Sequence, residues 1–156
     1  STVNVVEFNA RFGDPETEAV LPRLGGNFAQ ALLNAAKGRL KDSDIVVKDE
    51  CAATVIVASG GYPGSYEKGK TISGLAAESN NRTIEQSNSS SIVFHCGTSV
   101  AEDGCVKTAG GRVLSVTGLG ATLREAVDRA YEGVAKISFE GMFFRKDIAH
   151  RAFERG

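Results

Sequence analysis

Residues Cys51 to Ala58 form an apolar run closed by Glu50 on one side and Gly60-Gly61 on the other. It is too short for a self-standing helix, is rich in Val, Ile and Ala, and is bounded by turn residues, so it reads as a buried strand. A chain that contains such a strand has to build a sheet around it. Further strands are expected over residues 3–9, near Thr71-Ile72, and over Ile92 to Cys96. Residues 105–108 and 112–117 read as a hairpin pair around Gly110-Gly111. Thr122-Leu123-Arg124-Glu125 is a capping box, a side-chain acceptor followed three residues later by a carboxylate. It opens a helix to about Ile137, with Leu123, Ala126, Val127, Ala130, Val134 and Ile137 at helical spacing. Several strands in succession followed by a helix predict the α+β class.

Before the buried strand the pattern is helical. Gly13-Asp14-Pro15 breaks the first strand, and a helix is expected from about Glu16 to Leu24, with Val20, Leu21 and Leu24 on one face. After Gly25-Gly26, Asn27 has the look of an N-cap with Gln30 as its partner. That helix carries Phe28, Leu32 and Ala35 and stops at Gly38. Gly60-Gly61-Tyr62-Pro63-Gly64 is a turn by composition. Residues 76–91 are polar and read as a surface loop. The tail, Phe139 to Phe153, is expected to pack back on the sheet.

Length and charge narrow the function. At 156 residues and 42% hydrophobic, the chain makes one ordinary domain, or a small domain with an extra segment. Eighteen basic and nineteen acidic residues leave a formal net charge of −1, without the basic excess of a nucleic-acid binder. No apolar run approaches the roughly 18 residues needed to span a bilayer, so no membrane partner is expected. Three cysteines without CxxC spacing argue against a disulfide framework or a zinc site. Cys51 and Cys96 read as small buried residues, and the compartment as reducing and cytoplasmic. The chain has no initiator Met or signal-peptide pattern and opens almost directly into a strand. The expectation is a truncated or proteolytic piece whose partner strands lie elsewhere.

The stretch from Glu7 to Arg11 is the sharpest chemical feature. On a strand Glu7, Asn9 and Arg11 share one face. A carboxylate and an amide carbonyl are hard oxygen donors of the kind magnesium prefers, and Arg11 can meet a phosphate or carboxylate in bidentate fashion. The competing reading is an ordinary polar strand edge with Val6 and Phe8 in the core. Gly60-Gly61-Tyr62-Pro63-Gly64 lacks the Lys-Ser/Thr of a P-loop, and Pro63 removes a donor, so a structural turn is favoured. At Gly110-Gly111-Arg112 the glycines allow close backbone approach and Arg112 could meet a phosphate. A hairpin with an exposed arginine is the alternative. His95 lies in an apolar strand and reads as structural. Arg145-Lys146-Asp147 reads as a surface ion cluster.

Taken in order, five segments resemble one family: Glu7 to Thr17, Ala58 to Gly64, Phe94 to Thr98, Gly110 to Leu114, and Phe144 to Ile148. They are similar to the carboxy-terminal part of the glycinamide ribonucleotide synthetases (phosphoribosylamine–glycine ligases), of the ATP-grasp superfamily, and the match covers nearly the whole chain. The resemblance implies an ATP-dependent carbon–nitrogen ligase of purine synthesis that joins glycine to 5-phosphoribosylamine through a glycyl phosphate. It implies ATP as co-substrate and Mg (or Mn) as metal, with Glu7 and Asn9 as ligands. Arg11 and Asp14 are the implied catalytic pair for the phosphoryl group and the glycine amine. Arg112 and Gly111 are implied at the phosphoribosylamine phosphate. Residues 1–15 would then end an ATP-grasp domain as its metal strand, 16–50 would be a helical linker, and 51–156 a small β-rich carboxy-terminal domain with a packed helix. The amino-terminal and ATP-grasp domains would be missing partners, and fusion to further purine enzymes is a known habit of the family. Gly25-Gly26-Asn27 and Cys96 depart from the family pattern, which has a more charged link and a small residue at those places. Two other readings stay open: a non-catalytic binding module of the same fold, and a biotin-carboxylase-like relative, against which the residues after Arg11 speak.

Overall fold

The computed structural model describes residues 4–6, 11–75 and 91–154. Its centre is a four-stranded antiparallel sheet in the order β4-β7-β3-β8, made of β3 (Cys51–Ser59), β4 (Ser91–His95), β7 (Arg112–Gly120) and β8 (Met142–Phe144). The expected buried strand is β3, flanked on both sides. It pairs with β7 in the register Val55↔Val116 and Val57↔Leu114, and its last residues pair with β8. The tail therefore does return to the sheet.

Residues opposite each other in an antiparallel pair share a face, which sorts the sheet into two sides. Val55, Val57, Leu114 and Val116 face helix α3 (Leu123–Ala135) and form one core with Ala130, Val134 and Ile137. Val55, Val57, Leu114 and Val116 are fully buried. The helix sits close because the strand beneath it is small: a Cβ on Gly118 would lie 2.1 Å from the Ala126 carbonyl oxygen. Thr122 caps α3 by accepting from the Glu125 N–H, while the Glu125 carboxylate accepts from Ala121 N–H, one residue before the expected partner. A satellite core of Ala53, Ala126 and Val127 is closed by Leu123 and by Phe153 of the short helix α4 (His150–Phe153).

The other side carries Thr54 and Thr117, whose hydroxyls lie 2.7 Å apart. Thr117 donates to the Glu18 carbonyl at 2.9 Å, tying down helix α1 (Glu16–Val20). The helix expected from Glu16 to Leu24 ends early. Pro22 sits at the start of a 3₁₀ turn, Leu21–Arg23, where a ring without an N–H cannot continue the α pattern. Leu24–Gly25 (β1) then pairs with Val46–Val47 (β2). Between them runs helix α2 (Phe28–Ala36), capped by Asn27 through the Gln30 N–H and closed near Gly38. Gln30 turns its own side chain to Asn34 rather than back to the cap.

Three more expectations need correction. Residues 105–108 and 112–117 are not a hairpin pair. β6 (Val106–Thr108) pairs with β5 (Thr98–Val100), whereas β7 takes β3 and β4 as neighbours, because its apolar face can only be buried beneath α3. Cys96 is exposed and Cys51 half-buried, since Cys96 follows the end of β4 and Cys51 opens β3. His95, likewise at the strand end, is exposed and shares a 3.0 Å hydrogen bond with the Thr98 hydroxyl. Of the strand expected over residues 3–9, only 4–6 are described. They form no strand, and Val6 is 95% exposed rather than in a core. The loop expected over 76–91 lies outside the described residues except for Ser91, which opens β4.

Candidate functional site

Two residues far apart in the chain meet at the amino-terminal end of β7. Asp14 Oδ2 lies 3.1 Å from Arg112 Nη2, both side chains being partly exposed. Each is placed by local chemistry. Around Asp14, the Gly13 N–H donates to the Glu16 carboxylate at 2.9 Å, and Thr17 donates back to the Gly13 carbonyl through both its N–H and its hydroxyl. That closed turn opens α1, which Thr117 fastens to the sheet.

Arg112 is placed by a bulge. The register runs Val57↔Leu114 and then Ala58↔Arg112, so Val113 is an extra residue on β7. On the opposite side Cys96 N–H and Gly97 N–H both donate to the Val113 carbonyl, at 3.0 and 3.1 Å. A bulge bends its strand and re-aims the neighbouring side chains. Gly111, just before, is buried beneath the ring of Tyr62: a Cβ there would fall 2.2 Å from the ring's Cδ2. Only a residue without a side chain fits at Gly111.

The Cys96 thiol senses this cluster. Desolvation raises its pKa, the Glu18 and Asp14 carboxylates raise it further, and Arg112 pulls the other way. Glu18 Oε2 is buried and without a hydrogen-bond partner among the described residues. The site is thus an Arg112–Asp14 ion pair beside a buried glycine backbone, with the Cys96 thiol and the Glu18 carboxylate nearby. Such a guanidinium has N–H donors beyond those facing Asp14 and can accept a second anion.

The expected site residues divide three ways. Asp14, Gly111 and Arg112 come together. Arg11 is exposed and its Nη1 donates to the adjacent Phe12 carbonyl at 3.0 Å. Glu7 and Asn9 lie outside the described residues, among which no group of three or more His, Cys, Asp or Glu could hold a metal ion. The turn Gly60 to Gly64 and residues Cys96-Gly97 also belong to the cluster, with Ser59, Tyr62 and Glu18. For Tyr62, an aromatic ring among four glycines and a proline was the available signal. For Glu18 there was none, because its place depends on how α1 crosses the sheet. Arg145 holds Asp147 through two bonds of 2.9 and 2.7 Å, a local clasp on the tail.

The phosphoribosylglycinamide synthetase C-domain family matches residues 52–151. The chain is 49% identical over 151 residues to a phosphoribosylamine–glycine ligase of Streptomyces coelicolor, covering 96% of this chain and 35% of that protein. It is 46% identical over 148 residues to a bifunctional purine biosynthetic protein of Schizosaccharomyces pombe, covering 95% of this chain and 18% of that protein. The crystal structure of a phosphoribosylamine–glycine ligase from Thermotoga maritima superposes with a TM-score of 0.72 at 35% identity, over 92% of this chain and 32% of that one. The chain therefore spans about a third, or less, of the length of these proteins. With the strand, helix and tail of residues 52–151 all in place, the chain belongs to the phosphoribosylglycinamide synthetase C-domain family.

Proposed function

We propose that the chain is the carboxy-terminal part of an ATP-dependent ligase that joins glycine to 5-phosphoribosylamine, giving glycinamide ribonucleotide in purine synthesis. The observation that carries this reading is the 3.1 Å ion pair between Asp14 and Arg112. It brings Asp14, from the described part of the signature stretch, against Arg112, which follows the paired glycines Gly110-Gly111. In this reading Arg112 and the Gly111 backbone receive the phosphate of phosphoribosylamine. Asp14 orients Arg112 and lies where an amine would be drawn by its charge. Arg11 faces the transferring phosphoryl group.

Glu7 and Asn9, hard oxygen donors, fit Mg (or Mn), and that metal would neutralise charge on the nucleotide phosphates. Residues 1–15 then end an ATP-grasp domain, and the amino-terminal and ATP-grasp domains, with their nucleotide clamp, are partners of this chain, which alone does not turn over. The family match weighs against the biotin-carboxylase-like alternative. A cytoplasmic location follows from the pathway, and no helix among the described residues is long and apolar enough to cross a membrane. Fusion to a second purine enzyme is a further possibility that the bifunctional relatives exemplify.

The test is Arg112→Gln in the full-length ligase that carries this segment. Ribose 5-phosphate is expected to bind about tenfold or more weakly, since a charged hydrogen bond is worth roughly 1.5–3 kcal/mol. The KM values for ATP and glycine should hold. Unchanged ribose 5-phosphate binding would sink the assignment of Arg112, and glycine-dependent ADP release by the 156-residue chain alone would sink the statement that it does not turn over.

A further inference from the structure

The proposed role of Arg112 requires that its backbone be held still, and one residue does this from across the sheet. Ser59, the last residue of β3, is 4% exposed. Its N–H donates to the Gly111 carbonyl at 2.8 Å and its hydroxyl to the Gly110 carbonyl at 3.0 Å. Two successive carbonyls are thus captured by a single side chain and its own backbone. Because each peptide is planar, this sets the planes of both the Gly110–Gly111 and Gly111–Arg112 bonds.

The turn is gripped from its other side as well. Ala109 N–H and Gly110 N–H donate to the Gly97 carbonyl at 2.8 and 3.1 Å. The two backbones touch, since a Cβ on Gly97 would lie 2.6 Å from the Gly110 Cα. Paired glycines have the widest conformational choice of any dipeptide. Left to themselves they would let Arg112 wander, and the Ser59 hydroxyl removes that freedom at Gly110.

We infer that Ser59 is a positioning residue for substrate binding: by fixing the Gly110-Gly111 turn it aims the Arg112 guanidinium at the phosphate of a sugar phosphate. This rests on the reading of Arg112 given above and adds to it a residue that touches no substrate. Ser59→Ala keeps the backbone bond and deletes only the hydroxyl, leaving the half-buried Gly110 carbonyl without its side-chain donor.

The experiment measures ribose 5-phosphate binding to the full-length ligase for three variants beside the parent. Ser59→Ala is expected to weaken binding about three- to tenfold, the range for one lost hydrogen bond, with the KM values for ATP and glycine unmoved. Thr122→Ala is the control. The Thr122 hydroxyl accepts from the Glu125 N–H at 3.2 Å as the cap of α3, just beyond the end of β7 opposite to Arg112. Its loss should lower Tm and leave binding unchanged. Equal weakening by Thr122→Ala, or none by Ser59→Ala, overturns the inference. Arg112→Gln without effect overturns instead the reading beneath it. Should Ser59→Ala fail to fold, Ser59→Cys keeps the side-chain shape with only a weak donor in place of the hydroxyl and carries the same two readings.

Discussion

The sheet with α3 and the segment before it, residues 11–50, both carry large apolar side chains but use them differently. Under α3, Val55, Val57, Leu114, Val116 and Ala130 are fully buried. In the earlier segment Phe12, Leu32, Leu33, Leu40, Val46 and Val47 are all exposed, and within α2 itself only Ala31 is buried. Phe12 packs edge-on to Phe28 at 5.9 Å. Exposed large apolar side chains, where they adjoin, mark an interaction face. The first region is a completed core. The second lays α1 against β3 and ties it there through Thr117 to Glu18 and Arg112 to Asp14, and its exposed apolar residues suit the ligase domains proposed above.

The largest effect should fall on the completed core. Leu114→Ala is expected to cost about 2–5 kcal/mol, the range for a fully buried leucine. Leu33→Ala in this same chain should stay within about 0.5 kcal/mol, as for an exposed site. Urea unfolding of both reads the contrast directly. A comparable loss for Leu33→Ala would mean that the two regions are not built differently after all.

A smaller effect sharpens the contrast at the tie itself. Thr117→Val removes the bonds to the Glu18 carbonyl and to the Thr54 hydroxyl and should cost about 1–3 kcal/mol. Amide exchange in α1 should then quicken while that in β7 outside position 117 stays slow. Uniform quickening would show that α1 is part of the core and not strapped to it.

The smallest effect reads the junction through Cys96. A neighbouring carboxylate opposes thiolate formation and a cation favours it. Glu18→Gln should therefore lower the thiol pKa and speed alkylation by iodoacetamide near neutral pH. Arg112→Gln should raise it and slow the reaction. Each change is expected at about two- to fivefold, the scale of charge pairs in partly exposed surroundings. In both variants Cys51 and Cys105 are replaced by Ser, so that one thiol is followed. Opposite signs, or no response, would separate Cys96 from the Asp14–Arg112 cluster.

What could be read in advance follows the same division. β3 and α3 were legible because each carries its own periodicity and is bounded by its own stop signals, Gly60-Gly61 and the Thr122 cap. The partners of β7 were not. Its sequence announces a strand, but Ser115, Thr117 and Gly118 say nothing about which neighbours lie beside it, and proximity in sequence pointed to the wrong one. β1 and β2 are two residues each and leave no pattern at all. At the site, Arg112 and Gly111 stood out through paired glycines and Asp14 through the signature stretch. Ser59 did not, because a serine closing an apolar run signals a turn and gives no hint that its hydroxyl reaches across to Gly110.

The tail helix also bears on how the two faces of the sheet divide their work. Phe153 packs near Leu123 and Ala53, beneath the Arg124 guanidinium at 3.8 Å, on the α3 side of the sheet. Arg112 faces Asp14 on the other side and pairs with Ala58, at the far end of β3. At about 3.3 Å per residue, the stretch from Ala53 to Ala58 puts roughly 17 Å of strand between them. Phe153 and the Asp14–Arg112 pair therefore sit on opposite faces and toward opposite ends of the sheet, so that a change packed around the tail helix leaves the surface at Arg112 as it is.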